Sequence, residues 1–215
     1  MRSNKDNMTI PILKNPKICY NNIFDYNQEY KINILNFLNE KILIVDDCYK
    51  NPIAIRNYIL TTPCFPQKQI SNFNYPGYRS ETKVKMKFVE LVNFLVNMYF
   101  KCNVQTNFPF ISGIITTKTV HEDTSHLIHN DGKGIAGVVY LNMDEECSGG
   151  TCFFKTMNDK ESSLKIDMKF NRLILYPMHL YHSGWIEPDS FNECFRITQN
   201  IFLHETSGVF PQAVL

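Results

Sequence analysis

AGVVYLNM over residues 136–143, TCFFKT over 151–156, RLILYP over 172–177 and FRITQNIFL over 195–203 are short apolar or alternating runs parted by polar and glycine-bearing loops. Each has the length, the period and the β-branched or aromatic content of a strand. With ISGIITTKTV at 111–120 they predict at least five strands in succession. Upstream the period is helical: Val84, Phe88, Leu91, Val92, Leu95, Met98 and Tyr99 recur at offsets of three, four and seven, which predicts an amphipathic helix from Glu81 to Tyr99. Asn51-Pro52 supplies an N-cap and a first-turn proline for a second helix, IAIRNYILTT, that stops near Pro63. Ile42 to Val45, ended by Asp46 and Asp47, reads as a strand, and Cys64 to Ser80 as a long loop. Residues 1–40 are polar and weakly periodic, suited to wrapping the surface or adding a strand. Helices first and strands afterwards predict an α+β chain whose C-terminal half is a sheet sandwich or barrel.

The 215 residues suit one domain, and Lys+Arg 22 against Asp+Glu 21 leaves a net charge of +1. That balance argues against a disordered tail and against a nucleic-acid binder held by bulk charge. No apolar run of about 18 residues predicts a membrane span. Seven cysteines, at 19, 48, 64, 102, 147, 152 and 194, include no C-x-x-C pair, and the first residues lack the order of a signal peptide. The expectation is a cytoplasmic protein with reduced thiols.

Chemistry concentrates in the strand-rich half, where five of the six histidines lie between 121 and 182. His129 and Asp131 stand one residue apart just before AGVVYLN, so in an extended segment their side chains share a side. His182 follows RLILYP. Two imidazoles and one carboxylate on one face of an ion leave the opposite positions open, which suits non-haem Fe(II) and oxygen chemistry. Arg196 and Thr198 share a face of the next strand and together make a fork for a carboxylate. Two rivals exist. His121 and Asp123 form a second H-x-D upstream, and His179 stands three residues before His182. His129-Asp131 abuts the YLN strand, and His182 is preferred to His179 on the spacing to Arg196 that a family resemblance implies. Arg172 lies before the distal histidine and fits the fork less well.

HND at 129–131, VVYLN at 138–142, SGGTCFF at 148–154, NRLILYP at 171–177, YHSGW at 181–185 and FRITQNIFL together resemble the 2-oxoglutarate/Fe(II)-dependent dioxygenase superfamily, nearest its prolyl-4-hydroxylase-like branch. ILIVDDCYKNPIAIRNYIL at 42–60 and NYPGYRS at 74–80 resemble the leading segment of a little-characterised subgroup, so the likeness runs from about 41 to 204. It implies a double-stranded β-helix (jelly-roll) core with N-terminal helices packed on one sheet. On that reading residues 1–40 are an extension, 41–100 a strand with supporting helices and 105–204 the core of one domain. It further implies His129, Asp131 and His182 as iron ligands, Arg196 and Thr198 as the grip on the far carboxylate of 2-oxoglutarate, and Tyr140 as a second contact to it. The implied cofactors are Fe(II), 2-oxoglutarate as cosubstrate and O2, and the implied activity is hydroxylation of a small-molecule or peptidyl substrate.

Other features have simpler readings. Gly149-Gly150 is a turn signal, Phe153 and Phe154 read as core, and His121, Glu122 and His126 as solvated loop residues. Tyr78 and Arg79 in the long loop, and Trp185 three residues after His182, are the candidate substrate contacts. Two other classes compete: a non-catalytic jelly-roll ligand-binding or structural protein, and a cupin-like metalloenzyme that uses no 2-oxoglutarate. The complete ligand set disfavours the first, and the Arg196-Thr198 fork the second.

Overall fold

The computed structural model describes residues 23–62, 65–66, 78–83, 86–100, 102, 110–115, 128–187, 190–191 and 194–205. In chain order these form β1 (Lys31–Phe37), β2 (Glu40–Asp46), α1 (Pro52–Thr61), β3 (Phe65–Pro66), β4 (Tyr78–Lys83), α2 (Met86–Tyr99), β5 (Phe110–Ile115), β6 (Gly134–Tyr140), β7 (Gly150–Phe154), β8 (Leu164–Asp167), β9 (Arg172–Pro177), β10 (Tyr181–Trp185) and β11 (Arg196–His204). Every strand pair is antiparallel. Five strands, β1-β2-β9-β6-β11, make the body of one sheet, which continues across β11 to β5, β4 and β3; β10-β7-β8 make a second sheet of three.

The central strands read as unbroken apolar runs because both of their faces are covered. Leu43 and Val45 of β2, Leu173 and Leu175 of β9, Ile135 and Val139 of β6, and Ile197 and Ile201 of β11 pack with Ile55 and Ile59 of α1 and with Phe88, Leu91, Val92 and Leu95 of α2. Their alternates, Ile42, Ile44, Ile174, Tyr176, Ala136, Val138 and Tyr140, pack instead with Phe153 of β7 and Ile166 of β8. The layers are therefore helices, large sheet and small sheet, and the helices do lie on one face of a sheet. α1 starts as the sequence predicts: the Asn51 side chain accepts from the Ala54 N–H at 3.2 Å, with Pro52 in the first turn.

Several expectations change. Residues 81–83 belong to β4 rather than to the following helix, because Lys83 pairs with Phe110 of β5, and α2 begins only at Met86. Pairing across the sheet overrides the local helical period there. The stretch expected to be one loop from Cys64 to Ser80 contributes β3 and the start of β4, with Phe65 opposite Arg79 and Pro66 opposite Tyr78; residues 67–77 lie outside the described ones. The polar leader does add a strand, β1, on the sheet's edge against β2. Two strands were not expected at all, β8 and β10. Cys48, Cys102, Cys147 and Cys152 are free thiols, and no helix among the described residues is long and apolar enough to cross a membrane.

At the end of β2, Arg172 grips Asp46 with two nitrogens, at 2.6 and 3.0 Å, while Lys169 adds a third contact at 3.0 Å. The Arg172 hydrogen bond holds the Asp46 carboxyl below its ordinary value despite partial burial, with Lys169 contributing. A depressed carboxyl stabilises the fold above its unfolded value of about 3.9, and that stabilisation is lost as the pH falls through the folded value. Asp46→Asn is thus expected to lower the thermal midpoint at pH 7 and to lose its disadvantage on acidification. Melting curves across pH check it, and equal destabilisation at every pH would contradict it.

Candidate metal centre

Two crossings between the sheets meet at one corner. The chain leaves β9 at Pro177, turns through Met178 and Leu180, and enters β10 in the small sheet; the segment before β6 makes the reverse crossing. Backbone bonds tie the two together, from Asp131 N–H to the Met178 carbonyl at 2.9 Å and from Met178 N–H to the Gly134 carbonyl at 2.9 Å. His129 lies directly opposite His182, exchanging backbone bonds of 3.1 and 2.8 Å. This pairing sets the two imidazole rings 4.4 Å apart, and Asp131, two residues on, reaches the same side.

The His129 Nε2 to Asp131 Oδ1 distance is 3.7 Å and the His182 Nε2 to Asp131 Oδ2 distance 3.4 Å. All three residues offer a ligating atom within 4.8 Å of the others, a group that could hold a metal ion. Donors about 2.1 Å from one ion are about 3.0 Å apart at right angles and about 4.2 Å apart when opposed, so the observed separations bracket a common centre. The donor chemistry fits as well. His182 Nδ1 lies 2.9 Å from the Leu180 carbonyl, which can only accept, so Nδ1 carries the proton and Nε2 is the atom presented to a cation. Tyr176 packs edge-on against that ring at 4.8 Å, with Phe153 at 6.3 Å. Burial pushes the Asp131 carboxyl up, but the His182 hydrogen bond and the fields of His182, His129 and His204 outweigh it and leave it below the ordinary value. At neutral pH it is an anion ready to ligate.

Arg196 occupies the start of β11, where β5 pairs along one edge and the β6 ladder on the other edge has ended at Thr198. Its face of β11 looks at the small sheet. The side chain is buried, with 7% of its surface exposed; Nε has no hydrogen-bond partner, and Nη2 reaches only the Gly150 carbonyl at 3.5 Å. No acidic group pairs with it among the described residues. Tyr140 lies beneath the guanidinium, 5.7 Å from ring centre to Cζ, and its hydroxyl bonds Thr151 at 2.6 Å. Burial pushes that phenol up to about 12 against the pull of Arg196, so it is neutral and balances no charge. Thr198 stands directly opposite Tyr140 in the ladder. Arg172, by contrast, is already engaged by Asp46.

Gly184 links the two halves. It lies two residues after His182 on β10, hence on the same face and about 7 Å along the strand. A Cβ placed there would meet only Arg196 Nη2, at 3.9 Å. Gly184 is exposed although it faces the other sheet, so the space between His182 and Arg196 is open to solvent. A buried cation with no anionic partner among the described residues therefore sits one strand step from a cluster of metal-ligating atoms, across a gap that a larger residue would fill.

No protein-family model matches the chain, and no curated protein matches it. The reading of the site rests on its own geometry.

The other sequence candidates separate. Trp185 is on the opposite face of β10 from His182, with Lys165 Nζ 4.4 Å from its ring centre, so it does not line the gap. Tyr78 and Arg79 are placed only by their backbone, on β4 beside β5. His121, Asp123 and His126 lie outside the described residues. His179 faces away, its Nε2 3.4 Å from Glu40 Oε1 in a half-exposed pair. Sequence reasoning passed over Tyr176, Thr151 and Gly184. Gly184 alone had a positional signal, since it shares a strand face with His182 in YHSGW; nothing in the sequence marked Tyr176 or Thr151.

Proposed function

We propose that this chain is a 2-oxoglutarate- and Fe(II)-dependent dioxygenase on a double-stranded β-helix core, hydroxylating an unactivated C–H bond of a small-molecule or peptidyl substrate. The observation that carries the reading is Arg196, whose guanidinium is buried with no anionic partner among the described residues, a state costly to the fold unless a ligand supplies one. Its position relative to His182 suits a short dicarboxylate with one end at the metal and the other at the fork.

On this reading His129, Asp131 and His182 hold iron on one face. Arg196 donates two N–H groups to the far carboxylate, and the Thr198 hydroxyl donates a third hydrogen bond. Tyr140, neutral and fixed by Thr151, forms the floor. Bound iron and 2-oxoglutarate supply the reductive activation of O2, with release of succinate and CO2. The apolar strands around the gap, Tyr176 and Phe153 among them, keep bulk water from the reacting atoms. A cupin-like centre without the keto acid would leave Arg196 unpaired throughout its cycle, and a binding module without catalysis has no use for three convergent ligands.

The test is anaerobic. Adding 2-oxoglutarate to the Fe(II)-loaded protein is expected to raise a visible charge-transfer band, and admitting O2 with a screen of substrates to yield succinate and a product heavier by one oxygen. Gly184→Leu is expected to bind metal normally yet lose the band, because its side chain fills the gap. A wild-type protein that binds iron but gives neither band nor succinate refutes the assignment.

A further inference from the structure

We infer that Asn142 is a positioning residue that aims Arg196, an inference resting on the function proposed above. Asn142 is fully buried, just beyond the end of β6. The β6-β11 ladder pairs Tyr140 with Thr198, and Leu141 N–H still bonds the Ile197 carbonyl at 3.0 Å. One step further the backbones of β6 and β11 part, while β5 pairs with residues 196 and 197 along the other edge of β11. On the β6 edge the Asn142 side chain takes the place of the departing backbone. Its Oδ1 accepts from Ile197 N–H at 2.7 Å, and its Nδ2 donates to the Phe195 carbonyl at 2.6 Å.

These two bonds bracket Arg196 on both sides. A primary amide offers one donor and one acceptor in a plane, the same pair that a strand's peptide group presents, so it can close the ladder where no peptide is available. The amide is itself held. Glu146 lies 3.4 Å from Nδ2, accepts from Met143 N–H at 3.1 Å, and is gripped by Arg56 of α1 at 2.7 and 3.0 Å. A chain of polar contacts thus runs from the helix layer through Glu146 and Asn142 to the backbone that carries the guanidinium. Apart from the Tyr140 ring beneath it, the Arg196 side chain is held by one long hydrogen bond, so its direction leans on that backbone. A small rotation of the strand at residue 196 would swing the guanidinium away from Gly184 and from an anion lying over it, while leaving the metal ligands, which belong to other segments, in place.

Removing the amide should therefore weaken the hold on the keto acid and spare the metal. Isothermal titration of 2-oxoglutarate into the anaerobic, Mn(II)-loaded full chain is expected to show at least a tenfold rise in Kd for Asn142→Ala, with Mn(II) affinity by electron paramagnetic resonance within about twofold of wild type. Asn142→Ser keeps a small neutral hydrogen-bonding group and loses the paired amide, so its Kd should fall between the two and covers the case in which the alanine variant does not fold. Val96→Ala, destabilised by a cavity in α2 on the other face of the large sheet, should leave Kd unchanged. An unchanged Kd in both Asn142 variants, or a loss of Mn(II) and keto-acid affinity in equal proportion, overturns the positioning role and marks Asn142 as a general support. If the wild-type protein binds Mn(II) but no 2-oxoglutarate, the proposed function fails and this inference with it.

Discussion

Alanine at position 131 is expected to lower the affinity for Mn(II) or Fe(II) by at least about 100-fold, more than the 10–100-fold typical of losing an outer partner of a metal ligand. Asp131 is the only anion among the three convergent groups, and it faces both imidazoles. Without it a dication meets two neutral donors whose rings are held by backbone pairing, and the remaining positions fall to water. The fold should survive, because the backbone bond from residue 131 to Met178 and the exchange between His129 and His182 do not involve the carboxylate. Succinate formation should fall to background. Titration by paramagnetic resonance on a folded variant decides it, and wild-type Mn(II) affinity in Asp131→Ala would remove the carboxylate from the ligand set.

How much of this could be read from the sequence depends on how each residue is held. The pairs His129 with Asp131 and Arg196 with Thr198 were legible because an i, i+2 spacing in extended chain fixes a shared face whatever the surrounding fold; that Thr198 stands opposite Tyr140 is a matter of register, which the spacing does not give. The central strands were legible for a different reason: β2, β6 and β9 are buried on both faces, and long aliphatic runs have few other uses. Strand β10 was not. YHSGW contains a serine and a glycine and has no apolar alternation, since one of its faces carries His182 and open space rather than core. The signal by which strands are recognised is missing there. Strand β8 escaped because four residues are too few for a period to register. The turn that creates β1 is also atypical, with Leu38 and Asn39 at φ of 52° and 65° where a hairpin of this length usually shows Asn-Gly, so nothing in the text announced it. The roles of Asn142 and Gly184 needed the third dimension: one acts through the strand it bonds, the other through the side chain it lacks.

Methionine at position 196 is expected to move stability and binding in opposite directions. Burial disfavours the Arg196 cation, and the guanidinium recovers little of that cost, since Nε is unpaired, Nη2 has one long contact, and the Tyr140 phenol beneath it is neutral. Replacing a poorly compensated buried charge by an apolar residue of similar length typically stabilises by about 1–4 kcal/mol. Methionine is unbranched, follows the same path and can place its sulfur against the Tyr140 ring, so little packing is lost. In the absence of ligand the Arg196→Met variant should melt several degrees above wild type. Its affinity for 2-oxoglutarate should drop at least about 100-fold, as expected when a bidentate charged contact is lost, while Mn(II) binding stays at the wild-type level because the three ligands sit on other segments. Saturating keto acid should then reverse the order of stability, since only the wild type gains from ligand linkage. Melting both proteins with and without 2-oxoglutarate tests all of this in four curves. A variant that melts lower than wild type without ligand means that Arg196 is satisfied within the chain, which would deprive the anion fork of its physical reason; a variant that still gains stability from the keto acid means that the carboxylate is gripped elsewhere.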